Sequence, residues 1–212
     1  MDAFRRIEIE GWKRRDLFRF YQSFANPNYS VSVSLDIAPL YRYAKENGQS
    51  FFLLTLFAVA KAMNAVPEMR QRFLDAESVA EYEVVHPSCP LAREGSDLFV
   101  QVLLPYRPTF REFREAAQPV IESVRNGTLS ESNFEAIPNL FCASCVPWFE
   151  ALGTNSADYA FNQAEQVLTW FKMSETGKIT LSGRFNHSFT DGIHLAHFFE
   201  GIQNNFSNPE KL

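Results

Sequence analysis

Apolar residues recur at helical spacing over 12–24, with Leu17, Phe18, Phe20, Tyr21 and Phe24 as the repeating positions, and Asn26-Pro27-Asn28 ends the run. Over 29–37 the period changes to two, and Val31, Val33 and Leu35 face one way, which predicts a strand. Asp36 can cap a short helix with Pro39 in its first turn, closed by Asn47-Gly48. The stretch 51–66 is almost wholly apolar and ends at Pro67, so it reads as a buried helix. It holds Lys61 and Asn64 and falls short of the ~20 residues that a membrane-spanning helix needs. Strands are predicted at 81–85 and 98–104, with 93–97 as a turn between them. Thr109 and Glu112 have capping-box spacing and open a helix that Pro119 should kink and Gly127 should stop. A short apolar strand at 139–145 follows, then a hairpin of 165–173 and 178–186 around the turn 174–177. A last helix covers 192–206, with Ile193, Ala196, Phe198, Phe199 and Ile202 on its apolar positions.

Strands and helices are interspersed without strict alternation. The expected fold class is therefore α+β, a mixed β-sheet with helices packed against it, in one domain over 1–212. The chain has 212 residues, enough for a sizeable core, and its 21 Phe suit that core or an apolar pocket. A formal charge of −5 argues against nucleic-acid binding, which needs a basic footprint. Three cysteines fit a reducing compartment, and the N-terminus lacks the apolar run of a signal peptide, so a cytoplasmic, membrane-free protein is expected. No Gly-rich phosphate loop is present.

Of the four histidines, His187 has the position best suited to chemistry. The strand 178–186 delivers it at its end, just before Asp191-Gly192 and the last helix, where a rigid sheet meets an open cleft. Imidazole is the side chain best matched to accepting a proton near neutral pH. Asp191 can fix the loop, anchor an arginine or tune the histidine, and Gly192 suits a sharp turn where a side chain would clash.

The pattern His187-x-x-x-Asp191-Gly192 resembles the signature of the chloramphenicol acetyltransferase family, within the wider superfamily of coenzyme A-dependent acyltransferases. Trp12-Lys-Arg14 through Phe18, Pro67-Glu68-Met69-Arg70 and Ser144-Cys-Val-Pro147-Trp148 resemble further segments of that family, in the family's order. The resemblance implies a two-layer sandwich and a homotrimer with its sites at subunit interfaces. It also implies acetyl-CoA as co-substrate, with no permanently bound cofactor, a small hydroxylated acceptor such as chloramphenicol, and a link to antibiotic resistance. His187 then falls on the catalytic base, Ser144 on the hydroxyl that stabilises the oxyanion, and Thr169 on a threonine that helps to hold the intermediate. Asp191 and Arg14 match a buried structural ion pair, with the second nitrogen of the histidine held by a backbone carbonyl. Phe20, Tyr21, Tyr29 and Phe99 fall on the acceptor pocket, and Trp148 and Lys172 on the coenzyme A side.

Some positions depart from the family. Asn186 stands where many members carry a second histidine, Gln101 where the antibiotic-binding enzymes keep a small residue, Pro27 where cysteine is frequent, and Ile193 where an aromatic follows Asp-Gly. A bulky polar Gln in an apolar pocket clashes or demands a hydrogen-bond partner. Three other readings stay open: a Cys₃His zinc site from His86, Cys89, Cys142 and Cys145, a non-catalytic trimeric binding protein of the same fold, and a dihydrolipoyl acyltransferase core.

Overall fold

The structure is a computed structural model that describes residues 2–129, 137–157 and 165–212. The elements are β1 (Phe4–Glu8), α1 (Arg15–Gln22), β2 (Asn28–Asp36), α2 (Ala38–Glu46), α3 (Phe51–Ala65), β3 (Gln71–Phe73), β4 (Ser78–Tyr82), β5 (His86–Ala92), β6 (Phe99–Leu103), α4 (Phe110–Arg125), β7 (Leu140–Val146), β8 (Val167–Phe171), β9 (Lys178–Asn186) and α5 (Gly192–Ser207), with short 3₁₀ turns between some of them. Six strands form a mixed sheet in the order β2-β9-β8-β7-β5-β6, and three short ones form a second sheet, β1-β4-β3. The β7 strand runs parallel to β5 and β8, whereas the other neighbours in the large sheet are antiparallel.

Period-two alternation divides the large sheet into an apolar and a polar face. Val31, Val33 and Leu35 of β2, Leu168 and Trp170 of β8 and Ile179, Leu181 and Phe185 of β9 join the core under the helices. Ser30, Ser32 and Ser34 of β2 and Thr180, Ser182 and Arg184 of β9 occupy the alternate positions. The center of the helical layer is α3, which buries ten side chains because it is apolar on every face. Leu54, Leu56, Phe57 and Val59 are fully buried, each contributing roughly 1.5–3 kcal/mol. Gly183 has a packing role in β9: a Cβ there would lie 2.4 Å from the ring of Phe185, which packs under Tyr29 and against Phe198 and Phe199.

The expected α+β fold holds, and several boundaries moved. The Thr109–Glu112 capping box forms, and α4 continues through Pro119, whose freed carbonyl, that of Glu115, lies on an exposed stretch. The hairpin of β8 and β9 closes through Gly177 at φ +78°. Asp36 accepts the Ala38 N–H from two residues ahead of the helix it was expected to cap, one before the N-cap Ile37. The first helix spans only 15–22, and of its repeating apolar positions Phe18 alone is buried. Leu17, Phe20 and Phe24 are exposed, so this face is not core. The strand expected at 81–85 lies at 78–82, and β1, β3 and β5 were not anticipated. Pro87 and Pro90 masked β5, in which Pro90 lies beyond the β7 pairing, where the strand has a neighbour on one side only.

Candidate active site

The loop from Asn186 to Asp191 joins β9 to α5, and its own polar groups shape it. Asn186 accepts the Ser188 N–H through Oδ1, and its carbonyl accepts from the N–H groups of Phe189 and Thr190 and from the Thr190 hydroxyl. The residue that replaces a family histidine is therefore the one that folds the loop. Phe189 is sunk between Phe18 and Phe73 in a second small core with Ile9 and Val79. Gln22 donates to the Ser188 hydroxyl from α1 at 2.7 Å.

Arg14, one residue ahead of α1, ties the loop from outside. Its guanidinium donates to both carboxylate oxygens of Asp191 at 2.5 and 2.6 Å, to the carbonyl of His187 at 2.9 Å and to that of Ser188 at 2.8 Å. A bidentate fork plus two carbonyls is a geometry that lysine cannot reproduce. Arg14 also holds the Asp191 carboxyl below the usual carboxylate range, chiefly through this hydrogen bond. The side chain of Arg14 is 10% exposed and that of Asp191 31%, so the pair is partly buried, not fully buried as expected.

His187 donates its backbone N–H to the carbonyl of Pro27 at 2.9 Å. Its ring is stacked on Tyr21, with centroids 4.0 Å apart and planes 8° apart, and packs against Tyr29 at 4.4 Å. Tyr29 is fixed in turn by its hydroxyl against Thr190, and burial pushes that phenol up. The Nδ1 atom of His187 is buried and lies 3.2 Å from Asp191 Oδ1, without forming a hydrogen bond. The backbone-carbonyl partner implied for this nitrogen is not found among the described residues. The side chain is 30% exposed while Nδ1 is buried, which leaves the opposite edge of the ring accessible. Gly192 has neither a positive φ nor an atom within 4 Å of an added Cβ, so no clash requires glycine there within this chain.

The remaining candidate residues lie elsewhere on the sheet. Ser144 of β7 pairs with Thr169 of β8, Thr169 with Ser182 of β9, and Ser182 with Ser32 of β2, which makes a row of four hydroxyl-bearing residues across four strands. Ser32 and Ser182 share a 2.7 Å hydrogen bond, and the Thr154 N–H donates to Ser182. Ser32 and Ser182 are additions to the predicted residues, and the run Ser30, Ser32, Ser34 marks their face in the sequence. Trp148 follows β7 and is 76% exposed, and Lys172 follows β8 and donates its N–H to the Phe149 carbonyl, so the two residues share one end of the sheet. Phe99 and Gln101 stand on β6, at the edge opposite β2. Gln101 finds the partner it needs in the Ser88 hydroxyl at 2.8 Å.

The structure thus divides the predicted site. His187, Arg14, Asp191, Tyr21, Tyr29 and the exposed Phe20 cluster at the end of β9, whereas Ser144, Thr169, Trp148, Lys172, Phe99 and Gln101 belong to β6–β8. His187 is five residues and two strands from Ser144 by register, on the order of 15–20 Å at ordinary strand spacings.

The zinc ligands also fail to converge. Both ring nitrogens of His86 are engaged, with Asp2 and with the Tyr106 N–H. Cys145 packs on the core while Cys142 takes the alternate face, and burial pushes both thiols up, Cys145 to about 11. Among the described residues no group of three or more His, Cys, Asp or Glu could hold a metal ion. No helix among them is long and apolar enough to cross a membrane.

Known proteins resemble this chain over nearly its whole length. A family model described as chloramphenicol acetyltransferase matches residues 2–203. A chloramphenicol acetyltransferase from a Klebsiella species is 27% identical over 202 residues, covering 93% of this chain and 91% of that one. One from Staphylococcus aureus is 26% identical over 211 residues, covering 97% of each. A solved chloramphenicol acetyltransferase superposes with a TM-score of 0.83 at 24% identity, over 95% of this chain and 99% of that chain. A probable dihydrolipoamide acetyltransferase from Listeria monocytogenes superposes at 0.67 and 17% identity, over 91% and 89%. The protein is an acyltransferase by fold and relatives. It belongs to the chloramphenicol acetyltransferase family.

Proposed function

We propose that the chain is a single-domain, cytoplasmic O-acetyltransferase that moves an acetyl group from acetyl-CoA to a hydroxyl of chloramphenicol or a similar small alcohol. Its relatives are named for this activity. The observation that carries the reading at the level of residues is the mounting of His187: clamped by Arg14 through the loop, stacked on Tyr21, and open along one edge.

In this mechanism the accessible nitrogen, Nε2, takes the proton of the acceptor hydroxyl as its oxygen attacks the thioester carbonyl. The tetrahedral intermediate carries an oxyanion to which Ser144 donates, a contribution of about 3 kcal/mol for a preorganised donor, with Thr169 beside it. The intermediate collapses, the C–S bond breaks, and the coenzyme A thiolate recovers the proton from His187. Trp148 and Lys172 lie where the coenzyme would enter, and Phe20, Tyr21 and Tyr29 line the acceptor side.

Base and oxyanion donor must each sit about 3 Å from atoms bonded to one carbon. The separation of His187 from Ser144 within one chain does not permit this, so the reading places each site between two copies, His187 from one and Ser144, Thr169, Phe99 and Gln101 from the next. Exposed apolar residues support it. Leu17, Phe20, Phe24 and Ile193 flank the histidine side, and Leu98, Phe99, Trp148 and Phe149 flank the other. Two different patches that bury one another make a head-to-tail contact, which closes into a ring such as a trimer.

The test is release of coenzyme A thiol from acetyl-CoA with chloramphenicol and a panel of hydroxylated acceptors. Turnover in the wild type that vanishes in His187→Ala is the expected result. Failure to bind acetyl-CoA would overturn the reading in favour of a non-catalytic binding protein of this fold.

A further inference from the structure

The segment Pro67–Arg70 has no part in the mechanism above, yet its Glu68 reaches the first turn of α5, directly after the active-site loop. It forms a 3₁₀ turn directly after α3, with the first turn of α5 opposite. We infer that Glu68 and His194 act together as a positioning pair, in which Glu68 keeps His194 in the tautomer that holds the Asp191 N–H and thereby sets the place of the His187 loop.

His194 is the third residue of α5, after Gly192 and Ile193, with Asp191 at the N-cap. From this position a Glu or Gln commonly reaches back to the N-cap N–H. Here an imidazole does so: the Asp191 N–H donates to His194 Nδ1 at 2.9 Å. A nitrogen that accepts carries no proton, so the neutral ring bears its proton on Nε2. That nitrogen faces Glu68 Oε1 at 3.7 Å, where a carboxylate favours the Nε2–H form over the alternative.

Asp191 makes the connection consequential. The residue whose N–H is captured by His194 also presents both carboxylate oxygens to Arg14, and it approaches His187 Nδ1 at 3.2 Å. Arg14 in turn holds the carbonyls of His187 and Ser188. The loop is thus pinned from two sides, by Arg14 at the Asp191 carboxylate and two carbonyls and by His194 at its last backbone N–H. A shift of about 1 Å at a reacting group can cost on the order of 100-fold in rate.

The inference rests on His187 being the base, and the experiment separates the two. The full-length protein is compared as wild type, His187→Ala, His194→Gln, His194→Leu and Glu68→Gln, by kcat and by KM for acetyl-CoA. His194→Gln keeps an acceptor able to reach back to the N-cap, and His194→Leu does not. The expected result is a fall in kcat of about 10-fold or more in His194→Leu with KM changed by less than about 2-fold, and recovery to within about 3-fold in His194→Gln. Glu68→Gln should show a smaller loss of the same kind. In ¹⁵N NMR of the wild type, His194 should report the Nε2–H tautomer.

Equal behaviour of the Leu and Gln variants, with His187→Ala inactive, overturns the positioning role and leaves the base in place. An Nδ1–H tautomer overturns it whatever the kinetics, and an unchanged Glu68→Gln removes Glu68 from the pair. Activity surviving in His187→Ala overturns the assignment of the base itself, and the inference with it.

Discussion

The imidazole of His187 lies parallel to the phenol of Tyr21, 4.0 Å between ring centroids and 8° between planes. Stacking fixes the ring plane without occupying either nitrogen, which leaves Nε2 free to meet a hydroxyl. The phenol oxygen of Tyr21 is not needed for this. Tyr21→Phe should therefore keep turnover within about 3-fold, while Tyr21→Ala should lose roughly 10-fold in kcat, the scale of an aromatic pair worth about 0.5–1.5 kcal/mol. Steady-state kinetics of the two variants decides the point, and equal loss in both would show that the hydroxyl, not the stacking, matters.

The Arg14–Asp191 pair makes a prediction about stability and pH. Arg14 is nearly buried and would keep an uncompensated charge in Asp191→Asn, at a cost of about 3 kcal/mol. The Asp191 carboxyl is held low in the folded state, so its contribution is complete above the unfolded value of about 3.9 and is lost as pH falls through the lower folded value. Urea unfolding of wild type and Asp191→Asn should show a constant gap from pH 7 to about 5 that narrows progressively as pH falls below about 4. A gap that does not narrow at all between about pH 4 and pH 2 would mean that the carboxylate charge is not its source.

Ser144→Ala should lower kcat by about 100-fold and leave KM for acetyl-CoA within a few-fold, because an oxyanion donor acts in the transition state and not in the ground state. Thr169→Val should do less. If KM rises and kcat holds, Ser144 binds the coenzyme and is no oxyanion donor.

The long elements were legible because their periodicity is strong: α3 is apolar throughout, β2 and β9 alternate cleanly, and Thr109 and Glu112 announce their own capping box. In the small sheet β1 and β3 were not, and β4 was displaced by three residues, since three to five residues carry too little pattern to count. Two prolines hid β5 for a different reason: whether a strand tolerates Pro depends on which of its N–H groups face a neighbour, and no single sequence states that. At the site, Arg14 and Asp191 were found through motif resemblance, because an ion pair between residues 177 positions apart leaves no local trace. Asn186 looked like a lost histidine and proved to be the hydrogen-bond acceptor that folds the loop. The role of His194 was missed because its capping partner is a backbone N–H, which any residue at 191 except proline supplies.

The proposed division of the site between two copies can be tested with two impaired proteins. His187→Ala lacks the base and keeps Ser144, and Ser144→Ala lacks the donor and keeps His187. If one protomer contributes His187 and its neighbour Ser144, every site in either variant alone is damaged. Unfolding and refolding an equal mixture reassembles rings at random. A site is then whole when its histidine comes from a Ser144→Ala chain and its serine from a His187→Ala chain, which holds for about one quarter of the sites. Thiol release in the refolded mixture should recover to about a quarter of the wild-type rate, far above that of either parent refolded alone. If both groups acted within one chain, no mixing could rebuild a site, and the mixture would only average its parents.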